Sequence, residues 1–138
     1  MNILLVGDDP KLHSRGQPIL ESAQYKCTQI PAMEGTLLSE IGLETRVIIL
    51  SFLRTTALRK NLAALAKTTE LKYPIICISR TLDDELTAHL LFEGADDCMK
   101  WPKSDQLFLA KINALARRLK NQPRLTKLHY RTPTSRNK

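Results

Sequence analysis

The sequence RVIILSFLR, residues 46–54, contains an apolar run that ends at a serine. Residues 47–50 are consecutive apolar side chains, and three of the four are β-branched. A run without polar alternation is typical of a strand that is buried on both faces of a parallel sheet. Ser51 therefore places a hydroxyl at the carboxyl end of this predicted strand.

The rest of the chain alternates short apolar runs with helical patterns. Strands are predicted at 2–6, 26–30, 47–50, 74–79 and within 96–101, and helices at 10–24, 34–41, 56–68, 82–93 and 104–120. Gly16 and Pro18 predict a kink or a late start in the first helix, because proline cannot donate a backbone hydrogen bond. This order predicts one α/β domain over residues 1–121, with a flavodoxin-like (βα)5 doubly wound five-stranded parallel sheet. Ligand sites in such folds lie at the carboxyl ends of the strands.

Composition favours a soluble cytoplasmic domain with an aliphatic core. The 138 residues are 43% hydrophobic and 5% aromatic, and no apolar run approaches the roughly 18 residues of a membrane span. The amino terminus lacks the pattern of a signal peptide, and no membrane association is expected. Cys27, Cys77 and Cys98 lie in or beside apolar runs, and we interpret them as buried side chains rather than disulfide or metal ligands.

Positive charge is concentrated at the carboxyl end of the chain. Residues 1–110 carry 12 Lys/Arg and 14 Asp/Glu, whereas residues 111–138 carry nine Lys/Arg and no acid. Residues 122–138 are predicted to be a disordered tail or the start of a linker. Its basic residues could instead neutralise nucleic-acid phosphates: Arg124, Lys127, Arg131, Arg136 and Lys138.

Two stretches resemble response-regulator receiver domains, above all those of winged-helix transcription regulators. EGADDCMKWPKSDQLFLAKINALARR, residues 93–118, is similar to their fifth strand and last helix, and ILLVGDDP, residues 3–10, is similar to their first strand and acidic turn. The resemblance covers residues 1–121. It implies phosphoryl transfer from a histidine kinase to an aspartate, assisted by Mg²⁺, a lysine and a hydroxyl residue.

Most of the residues that this chemistry needs are replaced. Ser51 stands at the phosphoacceptor position, and the acidic pair falls on Gly7 and Asp8. Trp101 stands at the lysine position, with Lys100 one residue early. Adjacent side chains of a strand point to opposite faces, so Lys100 is not expected to reach the pocket.

The remaining positions of the pattern give a mixed result. The proline and glycine of the loop after the phosphoacceptor fall on Thr55 and Arg59, and the aromatic that reports phosphorylation falls on Cys98. Asp8 and Ser79 match the family. Asp9 could be a second metal ligand, but we favour it as a helix N-cap.

The chain is therefore interpreted as a degenerate receiver, or pseudo-receiver, with no catalytic residue, metal or cofactor. Trp101 is expected to fill the vestigial pocket. The positions assigned to this pocket surround Ser51: Gly7, Asp8, Asp9, Ser79, Cys98 and Trp101.

A homodimer through the fourth helix, fifth strand and fifth helix is implied by the resemblance. Asp97 with Lys111, and Asp96 with Arg118, match crossed ion pairs of the family. An apolar patch is matched by Ala88, Leu91 and Leu109.

Three functions are compared. The first is a signalling or transcription-regulatory module that contacts other proteins, either as the receiver of a longer DNA-binding regulator or as a stand-alone adaptor. The second is an adaptor whose basic tail contacts nucleic acid. The third is an enzyme on this fold. The sequence gives it little support, because it contains no glycine-rich phosphate loop and no paired Ser and His.

Overall fold

The computed structural model describes residues 2–33, 45–67 and 73–121. It contains a five-stranded sheet with the strand order β2-β1-β3-β4-β5, and each strand pairs in parallel with its neighbours. The strands are β1 (Asn2–Val6), β2 (Lys26–Ile30), β3 (Thr45–Leu50), β4 (Ile75–Ser79) and β5 (Asp97–Lys100). The predicted flavodoxin-like fold is confirmed. β3 begins at Thr45, two residues earlier than the apolar run indicates.

Helices cover both faces of this sheet. They are a π-helical turn (Leu12–Gly16), α1 (Gln17–Ser22), α2 (Thr55–Ala66), α3 (Asp84–Phe92) and α4 (Asp105–Asn121). The predicted helix at 34–41 lies outside the described residues, so α3 and α4 correspond to the fourth and fifth helices of the sequence analysis. In the described ranges, no helix has the length and apolar character needed to cross a membrane.

The first helix is irregular where the sequence predicts a distortion. The chain is helical from Pro10, and the π-helical turn ends where the Gln17 N–H bonds to the Leu12 carbonyl, five residues back. Pro18 follows directly and has no N–H to continue the α-helical ladder. The wider turn therefore lies one residue before the proline.

Two apolar clusters lie on the two faces of the sheet. Alternate residues of β1 separate between them: Ile3 and Leu5 face the cluster that contains Phe108 of α4, whereas Leu4 and Val6 face the cluster that contains Leu58 of α2. We call these the α1–α4 face and the α2–α3 face. The alternation follows from the two-residue period of a strand, and it decides which side chains meet at the carboxyl edge.

Candidate functional site

The turn after β1 approaches the end of β3 more closely than any side chain permits. Gly7 has a φ of 147°, and a Cβ placed on it would lie 1.7 Å from the carbonyl oxygen of Ser51. The Ser51 N–H donates to the Val6 carbonyl at 2.9 Å, which holds the two strand ends together. Because only glycine fits here, the position cannot carry the carboxylate found in the family.

Asp9 is the centre of a buried hydrogen-bond network at this edge. Its carboxylate is 1% exposed and accepts a forked ion pair from Arg80, with Nη2 at 2.8 Å and Nε at 3.2 Å from Oδ1. The Lys11 backbone N–H donates to the same oxygen at 3.0 Å, which is the contact of a helix N-cap. Asp9 thus caps the first helix and also binds a cation from the end of β4.

Trp101 closes the network from the end of β5. Its indole Nε1–H lies 3.1 Å from Asp9 Oδ2 and 3.1 Å from Ser51 Oγ. The Ser51 hydroxyl, fully buried, also lies 3.4 Å from Asp9 Oδ2. The indole stacks on Phe108, with ring centroids 5.7 Å apart. The position expected to hold a charged lysine therefore carries a ring that is buried in the α1–α4 face.

A glycine on the first helix makes room for the indole. A Cβ on Gly16 would lie 3.3 Å from Cη2 of Trp101, tighter than an ordinary van der Waals contact. The π-helical turn that contains Gly16 and the ring of Trp101 are thus fitted to each other.

The charge state of Asp9 follows from opposing effects. Burial favours the neutral acid, but the Arg80 hydrogen bonds, the Lys11 N–H, the Arg80 charge and the Trp101 indole outweigh it and lower the pKa of Asp9. The same contact raises the pKa of Arg80. Asp9 is therefore a paired carboxylate at neutral pH and a weak base toward Ser51.

Three residues assigned to the vestigial pocket lie outside this network. Asp8 is exposed, and its Oδ1 accepts the Leu53 N–H at 2.9 Å. The Ser79 hydroxyl donates to the Thr81 carbonyl at 2.7 Å. Cys98 packs on the α2–α3 face, away from the indole. Within the described ranges, no group of three His, Cys, Asp or Glu side chains is placed to hold a metal ion.

Lys100 points away from the network, as strand alternation predicts. Its exposed side chain lines an open groove of about 520 Å³ at the starts of α2 and α3, together with Arg59 and His89. Arg59 is paired with Glu93 at 3.0 Å. The lysine that ends β5 therefore lies on the opposite face of the sheet from Ser51.

The predicted dimer surface is a mixture of internal contacts and exposed apolar groups. Lys111 Nζ lies 3.1 Å from Asp97 Oδ2 within the same chain, and Asp96 Oδ2 accepts the Ile75 N–H at 2.7 Å. Leu91 is 39% exposed. The other assigned residues are half-buried Leu109 and exposed Ala88 and Arg118. The basic tail residues, from Arg124 onward, lie outside the described part of the chain.

Two features of this surface and site were missed by the sequence analysis. Phe92 on α3 and Leu107 on α4 are 88% and 48% exposed and add apolar area to the helices of this surface. Arg80 was not assigned to the site, although it directly follows β4 at the same sheet edge as the acidic turn. Arg80 and Asp9 both follow strands that end at this edge, and that shared position could have been used to predict the ion pair.

Comparisons with solved structures identify the fold. No family model matches the chain, and no curated protein matches it at a significant level. The BeF3-activated receiver domain of Klebsiella pneumoniae RstA has a TM-score of 0.67 at 18% identity, covering 85% of this chain and 99% of that one. The beryllofluoride-activated NtrC4 receiver domain dimer has a TM-score of 0.70 at 18% identity, covering 86% and 98%.

An atypical orphan response regulator, described as having a phosphorylation-independent regulatory mechanism, is also similar. Its TM-score is 0.67 at 21% identity, and the alignment covers 85% of this chain and 96% of that one. The chain thus has the fold of a response-regulator receiver domain, and its structural neighbours include atypical members of that class.

Proposed function

We propose that the protein is a pseudo-receiver, a signalling and transcription-regulatory module that works through protein contacts without accepting a phosphoryl group, and that it is not an enzyme. The observation that carries this proposal is the closed network of Asp9, Arg80, Ser51 and Trp101. It occupies the carboxyl edge of the sheet, where a receiver needs an open, charged pocket. The likeness to an orphan regulator with a phosphorylation-independent mechanism is consistent with it.

Ser51 is unsuited to accept a phosphoryl group. A serine hydroxyl is a weak nucleophile unless a base removes its proton. Burial alone would raise the pKa of the neighbouring carboxylate, Asp9. The hydrogen bonds from Arg80 and Trp101 outweigh burial, so this pKa is lowered and Asp9 is a weak base. Ser51 is also fully buried beneath the indole, so an incoming phosphodonor would first have to displace Trp101.

The carboxylates of the site are poorly placed for Mg²⁺. This ion prefers several oxygen ligands in near-octahedral geometry and gives up water reluctantly. The oxygens of Asp9 accept from Arg80, Lys11 and Trp101, and Oδ1 of Asp8 accepts from the Leu53 N–H. Gly7 cannot be replaced by an acid without moving the end of β3.

Exposure to a small phosphodonor tests this proposal. The chain is incubated with acetyl phosphate and Mg²⁺ and its intact mass is measured, with a conventional receiver treated in parallel as the positive control. We expect no added phosphoryl group on the wild type. The Ser51→Asp variant should also stay unmodified, because Trp101 and Gly7 remain. A stoichiometric gain of one phosphoryl group by the wild-type chain would refute the proposal.

We further propose that the output surface is formed by α3, β5 and α4, and that it joins two copies of the chain. Leu91, Phe92 and Leu107 expose apolar area on or beside this surface. Asp97 and Lys111 already pair within one chain, so exchanging that pair between copies gains little, since exposed ion pairs are worth about 0–1 kcal/mol. Apolar burial must therefore supply most of the affinity, and charge sets the register. A solved receiver dimer among the structural neighbours is consistent with such an assembly.

Light scattering at tens of micromolar tests the dimer. We expect a dimeric mass for the wild type and a monomeric mass for the double variant Leu91→Arg with Asp97→Arg. The control is Leu53→Arg, which makes the same leucine-to-arginine change as Leu91→Arg at an exposed position after β3 and should remain dimeric. A monomeric wild type, or a dimer unaffected by the double variant, would exclude this surface.

The second candidate function, nucleic-acid contact through residues 122–138, rests on the charge asymmetry. Nine basic and no acidic residues follow residue 110, and Arg117 and Arg118 are exposed near the end of α4. Binding of a DNA duplex should then weaken steeply as salt rises, because counterions are released on binding. Deletion of residues 123–138 should abolish it. Salt-independent or undetectable binding would eliminate this candidate.

A further inference from the structure

Cys77 and Cys98 stand directly opposite each other on neighbouring strands. They are register partners in the parallel pairing of β4 with β5. Both side chains lie on the α2–α3 face, where Cys77 belongs to the apolar cluster and Cys98 packs against it. Neighbouring strands are about 4.8 Å apart, and the Cα atoms of disulfides are usually about 4.4–6.8 Å apart. The backbone spacing is therefore one that a disulfide can span.

The two thiols are chemically unequal. The interaction between the two side chains lowers the pKa of Cys98, against the opposing effect of burial. The same interaction, with burial, raises the pKa of Cys77 well above its usual value. Cys77 is 1% exposed, whereas Cys98 is half-buried. Cys98 is thus the more accessible and the more acidic of the two thiols, and Cys77 is the thiol placed to react with it next.

We propose that Cys98 and Cys77 form a peroxide-reactive dithiol that closes to a disulfide between β4 and β5. The Cys98 thiol loses its proton and its sulfur attacks one oxygen of hydrogen peroxide. An S–O bond forms, the O–O bond breaks, and the departing hydroxide takes up that proton as water. The Cys77 sulfur then attacks the Cys98 sulfenic acid. An S–S bond forms, the S–O bond breaks, and the departing hydroxide takes the Cys77 proton as a second water. Two thiols lose two electrons to one peroxide.

This disulfide is expected to be strained and easily reduced. Cβ atoms in disulfides lie about 3.5–4.5 Å apart, less than the roughly 4.8 Å between strands, so β5 must move toward β4. β5 can do so because it is a four-residue strand at the edge of the sheet. Strained disulfides have more oxidising potentials and are typically the reversible, regulatory ones. The pair would therefore act as a reversible switch rather than a permanent cross-link.

Peroxide treatment of the reduced, full-length chain tests the inference. After treatment the protein is denatured, its free thiols are alkylated, and intact mass and peptide maps are recorded without reductant. We expect one of the three cysteines to be alkylated and the peptides of Cys77 and Cys98 to be linked within one chain. Dithiothreitol should return all three thiols. Because these thiols lie on the opposite face from the Ser51 network, the result does not depend on phosphoryl transfer.

Cys27 is the matched control. It lies on β2 against the other apolar cluster, and burial with the nearby Glu21 charge raises its pKa to about 11. Cys27→Ser should leave linkage unchanged, Cys98→Ser should prevent it, and Cys77→Ser should leave a sulfenic acid at Cys98 that dimedone traps. Alkylation of all three wild-type thiols after peroxide, oxidation of Cys98 without linkage, or linkage between two chains would each overturn the inference.

Discussion

The carboxyl edge of the sheet differs between its two faces. On the α1–α4 face, the indole of Trp101 fills the space over Ser51 and donates to Asp9. On the α2–α3 face, an open groove of about 520 Å³ remains, and Lys100 lines it. Lys100 is exposed and Trp101 is buried, although the two residues are adjacent in the sequence.

This difference shows how a one-residue offset at the end of a strand changes a site. Successive side chains of a strand point to opposite faces, so the lysine of the end of β5 lies in solvent and the tryptophan lies in the core. The buried carboxylate on the closed face, Asp9, is paired with Arg80, which directly follows β4, rather than with a lysine from β5. The closed face is a structural core with an internal ion pair, whereas the other face has an open groove.

The largest loss of stability should follow from Gly7→Ala on the closed face. The added Cβ would meet the Ser51 carbonyl at 1.7 Å, and the φ of 147° is unfavourable for any other residue. We expect the free energy of unfolding in urea to fall by at least about 3 kcal/mol. Gly16→Ala is the control, because its helical φ of −64° suits alanine and its contact is with a ring edge. An equal effect of both variants would contradict the close approach of β1 and β3.

Asp9→Asn should have the next largest effect. It keeps the shape of the side chain but removes the charge that Arg80 and Trp101 bind, and charge-assisted hydrogen bonds are worth about 2 kcal/mol. Urea unfolding of this variant, compared with Asp8→Asn, separates the buried acid from its exposed neighbour. A loss no greater than that of Asp8→Asn would mean that the network contributes nothing to stability.

The pH dependence of stability should report the same carboxylate. The pKa of Asp9 is lower in the folded chain than in the unfolded one, so its stabilising effect is complete above the unfolded value of about 3.9. It is lost as pH falls through the lower, folded pKa. Urea unfolding from pH 6 to pH 2 should therefore show a steeper acid loss for the wild type than for Asp9→Asn. Parallel curves would refute the assignment.

The smallest effects should distinguish the hydroxyl on the closed face from the lysine on the open one. Ser51→Ala removes a buried group that bonds to Trp101 and Asp9, at a cost of about 1 kcal/mol. Lys100→Ala removes an exposed side chain and should change stability by no more than about 0.5 kcal/mol. Urea midpoints at neutral pH measure both. The reverse order would show that the open face, not the closed one, carries the stabilising contacts.

Much of the fold could be predicted because it depends on local patterns. The bounds of β1 and β2 were predicted correctly, since apolar runs and turn residues mark them directly. The order of strands along the chain also placed Ser51 and Asp9 at one edge, and the resemblance to receiver domains added Trp101. Arg80 was missed because its pairing with Asp9 joins residues 71 positions apart, and local sequence does not specify the reach of a side chain.

The pairing of Cys77 with Cys98 could not be predicted for a related reason. Parallel strands are joined by long crossovers, so no tight turn fixes their register. The sequence indicated two cysteines within predicted strands, but only the pairing of β4 with β5 shows them as direct neighbours.

The fluorescence of Trp101 tests the central claim most directly. It is the one tryptophan of the chain, and it lies between Ser51 and Asp9 at the position where a receiver would bind a phosphoryl group. Mg²⁺ and beryllofluoride, a phosphoryl mimic, are titrated into the protein while Trp101 emission is recorded. The closed network predicts no change in intensity or wavelength at any concentration. A saturable change that needs both Mg²⁺ and beryllofluoride would contradict it, because the pocket would then be open to the ligands of an active receiver.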